Sequence, residues 1–485
     1  MHDRPPKLYN GTMTVDAVVV GSGPNGLAAA VAIAREGFSV TVLEAAPCIG
    51  GGTRTAELTC PGVLHDVCSA VHPMAVASPF LRSLPLEDHG LRWRWPELDL
   101  AHPLDDGSVG VLRRSLDATA QGLDGDTGEW RRLFGPASDG FDALATELLQ
   151  PVLHVPRHPV ALARFGLRAI QPATRVARRL RTDPARALFG GVAAHAMYPL
   201  DRPTSAAVGV TLVAAGHHTG WPVAAGGSRS ITDALASLLL RHGGRIETGV
   251  RVTSLGRLPE SRVTLLDVAP QALVGIAGDR LPGRVRAQLS RWRYGPSAYK
   301  VDLAVEGGVP WAADACRRAG TVHLGGRFEE IVHTEHEVHR GRMPERPFVL
   351  AAQQYLADPQ RSAGNVHPVW TYAHVPHGYA GDATEAIIGQ LDRFAPGVRD
   401  RIVGMHVRTP RELEAYNANY VGGDIATGAN DPWQLLVRPR LGVDPYATGI
   451  PGVFLCSAAT PPGGGVHGMC GANAARSALR VLRRG

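Results

Sequence analysis

The sequence predicts an α/β fold, a Rossmann-like dinucleotide-binding domain split along the chain and interrupted by a mixed α+β domain. Three observations predict it. A strand, a Gly-x-Gly-x-x-Gly turn, a helix and a second strand ending in an acidic residue follow one another from Asp16 to Glu44. A second glycine-rich segment, Ala45 to Thr55, comes directly after that acid. The last forty residues return to a short apolar strand, a glycine run and a helix. At 485 residues the chain exceeds the usual size of one core, so two intertwined domains are expected.

Each element of the first stretch has a physical task. Ala17 to Val20 is an unbroken apolar run, as a parallel strand buried on both faces requires. Gly21 permits the tight turn, Gly23 lets backbone approach a pyrophosphate, and Gly26 lets helix and strand pack closely. Between them Ser22, Pro24 and Asn25 complete the turn, and Leu27 to Arg35 reads as an Ala-rich helix whose N-terminus offers free N–H groups to phosphate. Gly37 is a helix C-cap, and Ser39 to Leu43 is the second strand. Glu44 then stands where a carboxylate accepts hydrogen bonds from a ribose hydroxyl.

The segment Ala45-Ala-Pro-Cys-Ile-Gly-Gly-Gly-Thr-Arg-Thr55 decides which dinucleotide is expected. It resembles the FAD enzymes of the flavin amine oxidase and phytoene desaturase superfamily, in which a Gly-Gly pair passes beside the flavin's pyrophosphate and ribityl chain. Gly50 and Gly51 match that pair, and Gly52 and Thr53 stand before Arg54, where the family often has Arg directly after it. The resemblance implies FAD as cofactor on a glutathione-reductase-type domain.

Composition excludes several classes. The net charge of +6 rests almost wholly on arginine, since Lys7 and Lys300 are the sole lysines, and no basic run with interleaved aromatics appears. Nucleic acid is therefore not an expected partner. The six cysteines (48, 60, 68, 316, 456 and 470) form no Cys-x-x-Cys pair, and no metal site is expected. His65, Cys68 and His72 match no zinc spacing and read as pocket lining. His333, His336 and His339 miss the His-Glu-x-x-His pattern and read as a surface helix. Apolar stretches break well before bilayer length, which leads to a cytoplasmic expectation. Residues 1–12 read as a loose polar leader, or as lying upstream of the natural start.

Residues 129–195 read as helices separated by prolines. Within them Val160 to Ile170 and Thr174 to Arg181 are basic and amphipathic, either a solvated Arg face or a lid touching a membrane through which an apolar substrate enters. Tyr198, Trp221 and the run Val208 to Ala215 are candidates for the same cavity, and His374, His377 and Tyr416 are further pocket candidates.

From Pro222 to Val252 a glycine turn, a helix that Ser228 or Ser230 can cap, and a strand resemble the superfamily's return to the FAD domain. The likeness implies an adenine contact on backbone at Val252, with Val263 to Pro270 as the next buried strand. Ser297 to Val305 alternates as a half-buried strand carrying Lys300. Amine-oxidase relatives place a Lys on the corresponding strand, pointing through water toward flavin N5; the plainer reading is a strand-end lysine at the surface. A partly desolvated Lys assists proton movement, which Arg does not. At the C-terminus Gly449 to Asn473 resembles the superfamily's last FAD motif. Ser457 and Ala458 stand where many relatives have an acid, Gly465 belongs to the turn that meets the cofactor, Val466 and His467 fall where residues approach the ring, and His467 either polarises substrate or packs.

The expected partition is 13–90, 216–270 and 430–485 for the FAD domain, and 91–215 and 271–429 for a substrate and lid domain. The closest flavour is the phytoene-desaturase-like group. It implies an FAD-dependent oxidoreductase that takes hydride from a largely apolar small molecule, forming C=C or C=N, with oxygen or a quinone-like compound as electron acceptor. Rivals on the same fold are an amine oxidase in which Lys300 activates oxygen, a redox-neutral isomerase, and a flavin-free carrier of prenylated partners. Peripheral membrane contact and a homodimer stay open.

Overall fold

A computed structural model of the chain describes residues 14–440 and 442–484, and the expected leader lies outside the described residues. The strands that build its two large sheets are β1 (Val15–Val20), β2 (Val40–Glu44), β3 (Leu98–Pro103), β4 (Val109–Leu112), β5 (Arg245–Thr248), β6 (Ser261–Leu266), β7 (Ser297–Glu306), β8 (Ala319–Leu324), β9 (Val349–Ala352), β10 (Val366–Val375), β11 (Ile402–Arg408) and β12 (Val453–Leu455).

The first sheet has the order β12-β6-β1-β2-β5, and every pairing in it is parallel. Residues of β1 alternate between its two faces. Ala17 and Val19 join a core with helix α1 (Pro24–Ala34) and two later helices, whereas Val18 and Val20 face the opposite core. Helix α1 begins at Pro24, three residues before the apolar run suggested. Proline fits the first helical position because its missing N–H would be unpaired there anyway. Ala28, Ala29 and Ala30 are fully buried, and these small side chains let other helices approach closely.

The second sheet is mixed, with the order β11-β7-β10-β9-β8-β3-β4. One face buries Val301, Leu303, Val305, Val349 and Val369 under a helix carrying Ile387 and Leu391. The other face carries Leu350, Ala352, Trp370 and Tyr372 into a core shared with helices α2 (Thr127–Asp139), α3 (Phe141–Leu148), α4 (Pro159–Ala169), α5 (Asp183–Ala194) and α6 (Ala206–Thr219). Further along come α7 (Arg229–Arg241), α8 (Pro270–Ala277), α9 (Gly283–Ser290) and α10 (Phe328–His339), and α12 (Met469–Leu482) follows α11 (Thr384–Phe394).

One boundary differs from expectation. Leu273, Ile276, Val285, Leu289 and Trp292 pack on Val18, Val20 and Leu266, so α8 and α9 cover the parallel sheet. The second sheet therefore takes over near residue 297 rather than 271. The chain needs these helices first because a parallel sheet must be covered on both faces. Ser228 stands at the start of α7 without a side-chain cap, because its hydroxyl donates to the Ser69 carbonyl instead. Among the described residues no helix is long and apolar enough to cross a membrane.

Candidate functional site

The C-terminal ends of β1, β2, β6 and β12 point to one side, and the chain order reverses at β1, where ligands bind in open parallel sheets. A cavity of about 960 Å³ opens there and extends to the second sheet. Its first wall is the glycine turn: Gly21, Ser22, Gly23, Pro24 and Asn25 all line it. Gly26 does not, because it stands behind the turn. A Cβ there would lie 2.1 Å from the Gly21 carbonyl oxygen, so only glycine lets α1 meet β1 so closely. The second glycine segment touches the first, since a Cβ on Gly51 would lie 2.9 Å from the Gly23 Cα. No side chain fits between the two loops.

Glu44 lines the cavity with most of its acceptor capacity engaged. One carboxylate oxygen accepts from the Ser22 N–H at 2.9 Å and the Ser22 hydroxyl at 2.6 Å, and the other accepts from the Ala46 N–H at 2.8 Å. A carboxylate has about four lone-pair sites, which leaves room for one hydroxyl of a ribose. Ala45, Gly51, Gly52, Thr53, Arg54 and Val252 also line the cavity. Arg54 holds the loop it follows, donating to the Ile49 and Cys48 carbonyls at 3.1 and 3.0 Å, and stands 3.5 Å from Glu44. Gly50 stays behind the wall, its N–H on the Ser22 carbonyl at 3.1 Å.

At the C-terminal motif Ala458, Gly465 and Val466 line the cavity and Ser457 does not. The Ser457 hydroxyl accepts from the Ala459 N–H at 3.3 Å, which shapes the turn. His467 corrects a catalytic expectation. It is buried off the cavity wall, its Nδ1 accepts from the Met469 N–H at 3.1 Å at the start of α12, and its carbonyl accepts from the Ser78 hydroxyl at 2.7 Å. Burial pushes its imidazole down to about 4, so it is a neutral packing group. Of its two readings, packing is the one the structure supports.

Lys300 overturns the reading as a surface lysine. It sits on β7 between β10 and β11, 2% exposed, ion-paired to Asp302, with its ammonium 5.3 Å from the centroid of Trp370. Trp370 lines the cavity and Lys300 stands behind it. Burial pushes its ammonium below the ordinary value, against the opposing pull of Asp302. His65 lies 3.6 Å from Asp302 and also bonds Thr59 at 2.8 Å. His72 lines the cavity and bonds Ser228 at 2.7 Å, so His65 and His72 each have separate partners. His374 pairs with Glu335 at 2.7 Å and His377 bonds the Gly295 carbonyl at 2.9 Å, both off the cavity. His336 pairs with Asp201 at 2.8 Å.

Several cavity residues carry no motif. Asp267, just past β6, lines the floor, and its carboxylate accepts from the Gly26 N–H at 2.9 Å. Burial drives its carboxyl up to about 7. The Tyr416 hydroxyl donates to the Gly51 carbonyl at 2.6 Å. Arg438 is buried on the cavity wall, 5.5 Å over the Trp292 ring, with its Nε unpartnered. A cation beside so few acceptors fits an anionic group. The far end is apolar and aromatic, with Met74, Met197, Leu212, Trp221, Leu350 and Trp370. Among the described residues the only acids on the whole wall are Glu44 and Asp267, both at the glycine end.

The wall thus fits a dinucleotide: two apposed glycine loops for the pyrophosphate, Glu44 for a ribose, Arg438 for an anion. Comparison with known proteins agrees. Residues 19–84 match the NAD(P)-binding Rossmann-like domain family. The rat pyridine nucleotide-disulfide oxidoreductase domain-containing protein 2 is 25% identical, over 96% of this chain and 94% of its own. Putrescine oxidase in complex with putrescine superposes with a TM-score of 0.63 at 19% identity, covering 98% of this chain and 100% of that one. Cyclohexylamine oxidase from Brevibacterium oxydans superposes with a TM-score of 0.54 at 15% identity, covering 97% and 99%. The chain therefore has a Rossmann-like domain, matched over residues 19–84, within an overall fold shared with these two solved oxidases, the α/β architecture that its glycine segments predict.

Proposed function

We propose that the protein is an FAD-dependent oxidoreductase that takes hydride from a neutral, largely apolar small molecule and leaves a C=C or C=N bond. The observation that carries this reading is one continuous cavity, which runs from the glycine loops to an aromatic wall on the second sheet. When bound, FAD supplies the hydride acceptor. The residues that would hold it are the Gly21–Asn25 turn, Glu44, Gly51–Arg54, Val252 and Ala458 with Gly465 and Val466.

The chain's own groups do the rest. Trp370, Leu350 and Leu212 exclude water and hold the substrate by apolar contact, which strengthens every electrostatic interaction inside. Arg438 offers positive charge to an anionic group at the cofactor end. Lys300, held by Asp302 behind Trp370, is placed to hold or release a proton near that wall. The absence of a carboxylate at the aromatic end, among the described residues, favours a neutral substrate over a cationic amine, and so favours the phytoene-desaturase-like subtype over amine oxidation. Molecular oxygen or a quinone-like compound is the proposed electron acceptor. Exposed Val155, Val160, Leu167 and Ile170 beside the arginines of α4 support peripheral contact with a membrane surface.

The visible spectrum of the purified protein tests the reading, measured before and after denaturation. Oxidised-flavin absorption that is released on unfolding is the expected result. A colourless protein that takes up no added FAD would refute it and leave the carrier.

A further inference from the structure

The aromatic end of the cavity is not wholly apolar. Two of its wall residues, Tyr372 and His195, carry hydrogen-bonding groups that have no partner among the described residues. The Tyr372 hydroxyl makes no hydrogen bond there, on a side chain 6% exposed. His195 bonds His323 through Nε2 at 3.0 Å and leaves Nδ1 unengaged.

The folding pattern puts these groups together. Thr321 and His323 are two residues apart on β8 and share one face of the sheet. His323 pairs across with Leu350, which pairs with Tyr372 on the next strand, so Tyr372 lies on the same face. The Trp221 ring stands 5.6 Å from His195 and 6.0 Å from His323, with both pairs edge to face. Polar groups inside a folded protein are nearly always paired, so two unspent ones at one end of a ligand cavity call for an occupant.

We propose that this end recognises one oxygen atom, a hydroxyl or a carbonyl, on an otherwise apolar substrate. The substrate class is then a neutral oxygenated hydrocarbon, neither a bare hydrocarbon nor a cationic amine. Both imidazoles are neutral, because burial pushes His195 to about 3 and His323 well below its ordinary value. In a neutral pair one ring donates to the other. His195 therefore presents Nδ1 as a donor if His323 donates to it, or as an acceptor if it donates to His323. The Tyr372 hydroxyl both donates and accepts. Such a pair of groups can bond either a carbonyl or a hydroxyl. A bare hydrocarbon would leave every one of these groups desolvated and unpaired, and sites built to bond an oxygen reject analogues that lack it. An ammonium would meet no carboxylate here, and the Lys300 cation stands behind Trp370.

This inference rests on the oxidoreductase reading for its view of the cavity as a substrate site, but it is tested by binding alone. The probes are tetralin, 1-tetralol, 1-tetralone and 1-aminotetralin, which share one ring skeleton, titrated into the flavin-loaded protein by calorimetry at neutral pH. The expected result is that the alcohol and the ketone bind at least about tenfold more tightly than tetralin, with the amine weakest. In His195→Leu the preference should fall several-fold. In Tyr372→Phe, which removes one hydroxyl and keeps the ring, it should fall by a smaller factor while tetralin binding is unchanged. Equal binding of tetralin and tetralone, no binding by any probe, or a preference that survives in both variants overturns the proposal. Flavin content of the same samples reports separately on the oxidoreductase reading.

Discussion

At the scale of single residues, Asp267 is the group whose chemistry the fold alters most clearly. Its carboxyl is raised from an ordinary 3.8 to about 7 by burial, with the Gly26 N–H acting in the opposite direction and Glu44 adding to the rise. A folded-state value above the unfolded one means that the contribution to stability is full below about pH 4. It is lost as pH rises through 7, because the ionised form must then be kept out of water. The difference corresponds to about 4 kcal/mol across that window. The cofactor-free protein should therefore show a falling urea midpoint between pH 4 and 8, and Asp267→Asn should flatten that fall. Identical slopes in the two proteins would show that the carboxyl ionises freely in the fold. Nothing in the sequence around Asp267 marks it. It meets Gly26 across 241 positions of chain, and a contact of that kind leaves no local pattern.

At the scale of elements, what was legible follows the same division. The β1–turn–α1–β2 unit was readable because each part recognises the next within about thirty residues: a buried run, a glycine turn, a helix, an acid. The start of α1 moved to Pro24 because proline is tolerated in a first turn, where an apolar count does not see it. His467 was ambiguous because the sequence does not say which way a side chain turns at a helix start, and the Met469 N–H claims it. The packing of α1 on α12 was equally hidden. A Cβ on Gly471 would fall 1.8 Å from the Asn25 carbonyl oxygen and 2.9 Å from the Ala29 nitrogen, both backbone atoms that cannot swing aside. Gly471→Ala should therefore push the two helices apart, with a loss of about 1–3 kcal/mol or more in stability. It should also weaken the dinucleotide site, since Asn25 lies on the cavity wall. Chemical denaturation read alongside retained flavin checks both effects. A fully stable, fully loaded variant would mean that the helices have slack that the packing does not show.

At the scale of the whole molecule, the cavity is a product of topology. Its walls come from the β1 turn, Met74, His195, Trp221, Asp267, the face of β8 to β10 and the stretch from Tyr416 to Val466. The aromatic end could not be read from the sequence, because Thr321, Leu350, Trp370 and Tyr372 share a face only once three strands are in register. Because both sheets contribute walls, an occupant of the cavity ties the stability of one to the other. Free FAD at a hundred times its dissociation constant should stabilise the native state by about 2.7 kcal/mol through mass action alone. The distribution of that gain is the informative part. If FAD touches both domains, unfolding followed by absorbance of the whole chain and by protection of amides in β9 and β10 should shift upward together as FAD is added. If the parallel sheet is stabilised and β9 and β10 keep their cofactor-free protection, the cofactor rests on the Rossmann-like domain alone. The aromatic wall would then be free to open to substrate without releasing flavin.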